Sequence, residues 1–151
     1  MNFKILIGIM FLIVIVACTP DTLQSAYEKH QKDIGNYGFN IIHIEEHDDY
    51  GLVLATEWSE QDKEDKGKPG IGVFIKESGK WVAIPGTSCD SPQVTLGIRG
   101  GNYLYCGVII DNRPNVEIMV GETAAQVFDV NDKKRVWYAV EKSMDEKVRG
   151  N

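Results

Sequence analysis

The feature that most constrains the fold is a change of periodicity near residue 39. From Phe39 onward apolar and polar residues alternate, which places apolar side chains on one face of an extended strand. Turn-forming residues interrupt the alternation about every eight to twelve positions, a spacing typical of all-β domains. The pattern predicts a mainly β fold with one N-terminal helix. We expect an antiparallel sandwich or a partly closed barrel of about eight or nine strands, two architectures that both manage sheet edges.

Nine strands are predicted, at residues 39–46, 51–58, 70–76, 80–84, 94–99, 103–110, 116–120, 124–130 and 134–141. Gly100 and Gly101 predict a hairpin between the fifth and sixth strands, since glycine readily adopts the positive φ of a primed turn. The sixth strand becomes continuously apolar toward its end, which indicates burial on both faces. We therefore expect this strand to be central in its sheet.

An amphipathic helix is predicted over residues 22–33. Its apolar side is formed by Leu23, Ala26, Tyr27, His30 and Ile34, which recur at helical spacing. Asp21 or Thr22 can cap the N-terminus through a side-chain oxygen, and Gly35 supplies a stop. We expect His30 to be a packing residue rather than a ligand.

The tryptophans are expected to differ in burial. In the ninth strand Trp137 lies on the face opposite to Val136 and Tyr138. We expect Trp137 to be buried under the helix or the opposite sheet. Trp58 precedes the charged loop 59–69 and is expected to contribute much less to stability.

The first 17 residues have the organisation of a signal peptide. Lys4 precedes an apolar run at 5–17, which is shorter than the roughly 20 residues of a permanent transmembrane helix. The run ends in Ile15-Val16-Ala17-Cys18, which resembles the lipobox of bacterial lipoproteins, with isoleucine at the usual leucine position. In those proteins diacylglycerol is attached to the cysteine sulfur and the chain is cleaved before it. The resemblance implies lipidation of Cys18, whereas a plain secretory signal or an uncleaved anchor are the alternatives.

The domain organisation follows from this reading. Residues 1–17 are the predicted lipoprotein signal peptide, 18–21 a tether, 22–142 a single β-rich extracytoplasmic domain and 143–151 a frayed tail. All three readings of the N-terminus place the domain outside the cytoplasm, and lipidation places it at the extracytoplasmic face of the cell membrane. After removal of Lys4, 15 basic residues remain against 22 acidic ones, a net charge of −7. This charge excludes nucleic acid as a partner and leaves the lipid anchor as the link to the membrane.

Cys89 and Cys106 form an even pair once Cys18 is assigned to the lipid. An extracytoplasmic location favours a disulfide between them, with two buried free thiols as the alternative. A two-residue turn at Gly100-Gly101 would place Cys106 opposite Thr95, six residues from Cys89. Pro92 can fold the intervening segment back, because proline leaves a central strand.

His43, Glu45 and His47 are the candidate metal ligands. They project from one face of the first predicted strand, but the outer two stand about 13 Å apart in an extended strand. Only two of the three could therefore share a Zn²⁺ ion, which needs ligand atoms within about 2.1 Å. A polar strand edge explains the same residues, and no cofactor is predicted.

Catalytic motifs are not found in the sequence. The serines do not lie in a Gly-x-Ser-x-Gly elbow, and a disulfide would remove the thiolate that a cysteine nucleophile needs. Adjacent acidic pairs such as Glu45 and Glu46 point to opposite faces of a strand and form poor acid–base dyads. The chain is therefore not expected to be an enzyme.

Several structural motifs resemble a family of small lipoproteins of Bacillus-type bacteria. The matching segments are 71–76, 79–81, 105–111 and 133–138, with Val116 and Val120 between the last two. They cover about residues 70–140, and the family has no assigned activity. We expect a membrane-anchored lipoprotein that acts as a non-catalytic binding or structural module, with a protein or cell-envelope component as partner. An envelope enzyme or enzyme inhibitor, with a site assembled from distant residues, is the alternative.

Overall fold

The computed structural model describes residues 22–36, 38–58, 67–90, 94–110, 115–142 and 148–150. The predicted signal peptide, Cys18, the tether and part of the charged loop lie outside these residues. Within the described ranges, no helix has the length and apolar character needed to span a membrane.

One helix and eleven strands form in these ranges. Their bounds are α1 (Leu23–Asp33), β1 (Gly38–Glu46), β2 (Tyr50–Trp58), β3 (Lys68–Glu77), β4 (Lys80–Ser88), β5 (Val94–Ile98), β6 (Asn102–Ile109), β7 (Ile118–Val120), β8 (Thr123–Ala124), β9 (Gln126–Asn131), β10 (Lys134–Glu141) and β11 (Val148–Gly150). The predicted helix is confirmed, and the Thr22 hydroxyl caps it by accepting a hydrogen bond from the Ser25 amide.

The strands form three antiparallel sheets. Sheet A has the order β1-β2-β3-β4, sheet B the order β5-β6-β10-β9, and sheet C the order β11-β7-β8. The mainly β prediction is confirmed, and the described strands form open sheets in a sandwich rather than a closed barrel. The expected central position of the sixth strand, β6, is also correct.

Two departures raise the strand count above the expected eight or nine. The predicted 124–130 strand divides into β8 and β9. The prediction of a frayed tail is wrong for Val148–Gly150, which pairs with β7. This pairing satisfies the backbone groups of β7 along that edge, and Val148 packs against the apolar cluster outside sheet B. One apolar residue among charged neighbours gives no alternation, so the sequence pattern did not indicate this strand.

Sheets A and B share the central core. Their facing side chains include Leu52, Leu54, Ile71 and Val73 from sheet A and Leu104, Cys106, Val136 and Tyr138 from sheet B. The outer face of sheet A is covered by α1, through Leu23 and Tyr27. The outer face of sheet B is covered by sheet C. The molecule therefore has four layers, with α1 and sheet C on the outside.

The predicted disulfide is present between Cys89 and Cys106, whose Cα atoms are 5.5 Å apart. Both cysteines are fully buried in the core between the sheets. Closing a loop of this length stabilises the fold by roughly 3 kcal/mol in the chain-entropy model. The expected register was wrong by one residue, because Arg99–Gly101 form a three-residue turn and Cys106 faces Val94.

Trp137 is buried, as expected, with 2% of its surface exposed. The expected cover was wrong, because Trp137 packs in the cluster beneath sheet C with Ile118 and Val120. Val136 and Tyr138 face sheet A, so strand alternation turns Trp137 toward the other side of sheet B. The strands that cover it are only two or three residues long, too short to give a periodic signal.

Candidate functional site

A cleft of about 410 Å³ opens between the C-terminal half of α1 and the outer part of sheet A. We call it the helix-side cleft. Gly70 and Gly72 of β3 are among its lining residues, and without side chains they leave the strand backbone open. His30 and Ile34 line the helix side, and Lys68 lines the opposite side.

Glu57 is the carboxylate of the helix-side cleft, and three neutral groups donate hydrogen bonds to it. The Tyr27 hydroxyl and the Gln31 Nε2 atom each lie 2.6 Å from its Oε1 atom. The Asn36 Nδ2 atom lies 3.3 Å from Oε2 and also donates to the Gln31 side-chain oxygen. Tyr27 and Gln31 are buried, so their polar groups depend on this carboxylate. The network therefore fixes the position of Glu57 through neutral donors.

Tyr27 and Gln31 reach Glu57 because both lie on the part of α1 that packs near the end of β2. Tyr27 and Gln31 are four residues apart and lie on the same face of α1. Gly72 allows the helix to approach, since a Cβ atom there would lie 3.1 Å from the Tyr27 ring. Burial, together with the hydrogen bond to Glu57, raises the pKa of Tyr27 far above its usual value. Tyr27 is therefore a neutral donor at physiological pH.

Lys68 and Ile34 complete the polar and apolar surfaces of the cleft. Lys68 is the cross-strand partner of Glu57, so the two side chains project from the same face of sheet A. Among the described residues no cation lies within ion-pair distance of Glu57, and Lys68 is exposed to solvent. The Trp58 indole packs over Gly38 and is half-buried. Ile34 is 55% exposed, a high value for an isoleucine.

A second carboxylate network surrounds Glu45, between sheets A and B. Tyr138 donates to Glu45 Oε2 over 2.6 Å, and Gln126 donates to the same atom over 3.2 Å. The Nε2 atom of His47 lies 2.8 Å from Oε1, and the His47 ring stacks on Tyr50 with 4.2 Å between centroids. These residues line a second cleft of about 410 Å³.

The three candidate metal ligands do not meet at one point. Glu45 and His47 are in contact, but the His43 ring packs against Phe128 of sheet B, with 4.7 Å between ring centroids. His43 and Glu45 lie on the same inward face of β1, where both approach Tyr138, so what separates the His43 ring from the Glu45–His47 contact is its position along the strand. In the described ranges no group of three or more His, Cys, Asp or Glu side chains could hold a metal ion.

Sequence reasoning did not identify Glu57 as a site residue. Its donors lie 21 to 30 residues away in the chain, on another element, so no local motif connects them. Gln31 alone gave a signal, because it lies one turn from Tyr27 on the covered side of the helix. The disulfide removes Cys89 and Cys106 as nucleophiles.

Comparison with known proteins returned no match: no protein-family model, curated protein or solved structure is similar to this chain.

Proposed function

We propose that this protein is a membrane-anchored extracytoplasmic lipoprotein that acts as a non-catalytic binding module of the cell envelope. We further propose that the helix-side cleft is its binding site. The proposed lipid anchor on Cys18 holds the domain at the outer face of the cell membrane. A tether of this kind suits a small binder, because it keeps the domain next to its partner without a second membrane-binding surface.

The observation that carries the site assignment is the position of Glu57. A half-buried carboxylate loses hydration, and among the described residues Glu57 recovers it from three neutral donors. A carboxylate accepts about four hydrogen bonds, so beyond these three described donors Glu57 has the capacity to accept one more at this position. The open cleft, the glycine backbone and the exposed Ile34 lie beside that position. Convergent polar groups beside apolar surface are typical of small-ligand sites.

The alternative is an envelope enzyme or enzyme inhibitor, and the Glu45–His47 contact favours its catalytic form. A histidine oriented by a carboxylate at 2.8 Å has the arrangement of a general base. Glu45 also accepts hydrogen bonds from Tyr138 and Gln126 of sheet B, which join β1 to that sheet and account for its position by structure alone. We therefore assign binding to the helix-side cleft and keep catalysis as the second candidate.

Lipidation is tested by fractionation of a bacterium that has a lipoprotein pathway. The wild-type chain should sediment with membranes, and its mature mass should include an acylated Cys18. Cys18→Ala should accumulate as uncleaved precursor or leave the membrane fraction. An unmodified mature chain in the mass spectrum would contradict the proposed anchor.

Binding is tested by co-sedimentation of the detergent-solubilised lipoprotein with purified, insoluble cell-wall sacculi. The wild type should sediment, and Glu57→Gln should sediment less, because glutamine keeps an oxygen for Tyr27 and Gln31 but removes the charge. Ile110→Ala is the matched surface control, since Ile110 is 80% exposed and does not line the helix-side cleft. His47→Ala tests the second candidate. Sedimentation that depends on His47 but not on Glu57 would move the function to the Glu45 cleft.

A further inference from the structure

We infer that the ligand of the helix-side cleft is a neutral saccharide unit of an envelope glycan. This inference rests on the proposed binding function and names its ligand class. It draws on three properties of the cleft, namely its formal charge, the mixture of groups that line it and its distance from the proposed anchor.

The charge of the cleft favours a neutral ligand. Glu57 and Lys68 carry opposite charges on one face of the sheet, so their formal charges cancel. A polyanion would be repelled by Glu57 and by the net negative charge of the domain, while a polycation, although attracted by that net charge, would be repelled by the Lys68 ammonium at the cleft. Either charged ligand is therefore repelled by one side chain of the Glu57–Lys68 pair, whereas an uncharged ligand can interact with both side chains.

The chemistry of the lining matches a sugar ring. Ring hydroxyl groups both donate and accept hydrogen bonds, and the two charged groups provide one acceptor and one donor. Glu57 is the acceptor, and the Lys68 ammonium is the donor. Ile34 provides exposed apolar surface for the C–H face of the ring. Ligand pockets range from about 300 to 1,000 Å³, so a volume at the lower end suits one or a few sugar rings.

The position of the cleft separates it from lipid headgroups. Three residues lie between Cys18 and Thr22, and this separation of four positions spans at most about 14 Å when the chain is extended. The first helical residue, Leu23, packs against Gly51 at the start of β2. Glu57 lies six residues further along β2, about 20 Å away. The anchor is therefore tied to the end of the domain opposite the cleft, and a ligand outside the bilayer reaches Glu57 more readily.

The test is a calorimetric titration of the full mature lipoprotein in a zwitterionic detergent, because a sugar-based detergent would compete. The probes are the neutral trimer of N-acetylglucosamine, tri-lysine, and vesicles of phosphatidylglycerol. The neutral trimer should bind saturably. Glu57→Gln should weaken this binding about tenfold or more, since a hydrogen bond to a charged group is of that size, and Ile34→Ala should weaken it less. Ile110→Ala and His47→Ala should leave it unchanged, and circular dichroism should verify that each variant is folded.

The outcomes distinguish this inference from the proposed function. Binding of tri-lysine or vesicles without the trimer, lost in Glu57→Gln, overturns the saccharide class and keeps the cleft as a binding site. Trimer binding that is equal in Glu57→Gln, Ile34→Ala and wild type places the sugar elsewhere and overturns the inference. If no probe binds but sacculi still sediment in a Glu57-dependent manner, only the ligand class is wrong. If sedimentation with sacculi is also independent of Glu57, the assignment of the helix-side cleft as the binding site is wrong too.

Discussion

The two main sheets share one core but cover their outer faces differently. Along β2 and β3, sheet A presents small residues such as Gly51, Ala55 and Gly72 to α1. Sheet B presents Tyr105 and Trp137, which fill the space beneath sheet C themselves. The helix contacts β2 from Gly51 to Glu57, and the cleft lies beside the C-terminal half of the helix, mainly over β3 and β4.

The two carboxylates, Glu57 and Glu45, also differ in the face of sheet A on which they lie. Glu57 faces outward, where its network joins α1 to sheet A beside an open cleft. Glu45 faces inward, where its network joins sheet A to sheet B. Each accepts a hydrogen bond of 2.6 Å from a tyrosine. Only the inner network includes an exposed, titratable histidine, His47. The difference implies that Glu45 serves mainly to hold the sandwich together, while Glu57 also has access to a ligand.

The largest expected effect compares tryptophans on the two sheets. Trp137→Ala should lower the free energy of unfolding by roughly 3–5 kcal/mol, because a large side chain is removed from the closed cluster beneath sheet C. Trp58→Ala should cost much less, since Trp58 is half-buried at the open end of sheet A. Urea denaturation of both variants measures the difference. Similar midpoints for the two would show that sheet C does not close the outer face of sheet B.

A smaller effect is expected at the two carboxylates. Glu57→Ala should destabilise the fold by roughly 1–3 kcal/mol for each buried donor left without an acceptor. Two such donors, on Tyr27 and Gln31, depend on Glu57. Glu45→Ala should cost less, because Tyr138 is its one buried donor while Gln126 and His47 reach solvent. Thermal unfolding of the two variants provides the ranking. A larger loss for Glu45→Ala would reverse the structural roles assigned to the two networks.

The sequence pattern predicted the sandwich faces better than the site. Alternation separates Val136 and Tyr138 from Trp137, and the structure confirms both faces, because side-chain direction in a strand is a local property. The bulge between Ile41 and His43 precedes His43, so His43 and Glu45 keep the common face that alternation predicted, and both approach Tyr138 of sheet B. Glu57 meets Tyr27 only through the docking of α1 on sheet A. Such a contact depends on tertiary packing, which periodicity does not report.

The smallest expected effect is a loss of stability at alkaline pH, which tests whether the two tyrosines are equally enclosed. Burial and hydrogen bonds to Glu57 and Glu45 raise the pKa values of Tyr27 and Tyr138 above the usual value of 10.0. The unfolded chain therefore loses these protons first, so the contribution to stability is complete below about pH 10 and is lost as the pH rises further. Each tyrosine should account for less than about 0.7 kcal/mol between about pH 10 and 10.5. The slope of the unfolding free energy against pH is measured for the wild type, Tyr27→Phe and Tyr138→Phe. Subtracting the slope of each variant from that of the wild type removes the background from lysines. Equal differences indicate equal enclosure, whereas a difference near zero for Tyr27 alone would mean that water reaches its hydroxyl through the helix-side cleft.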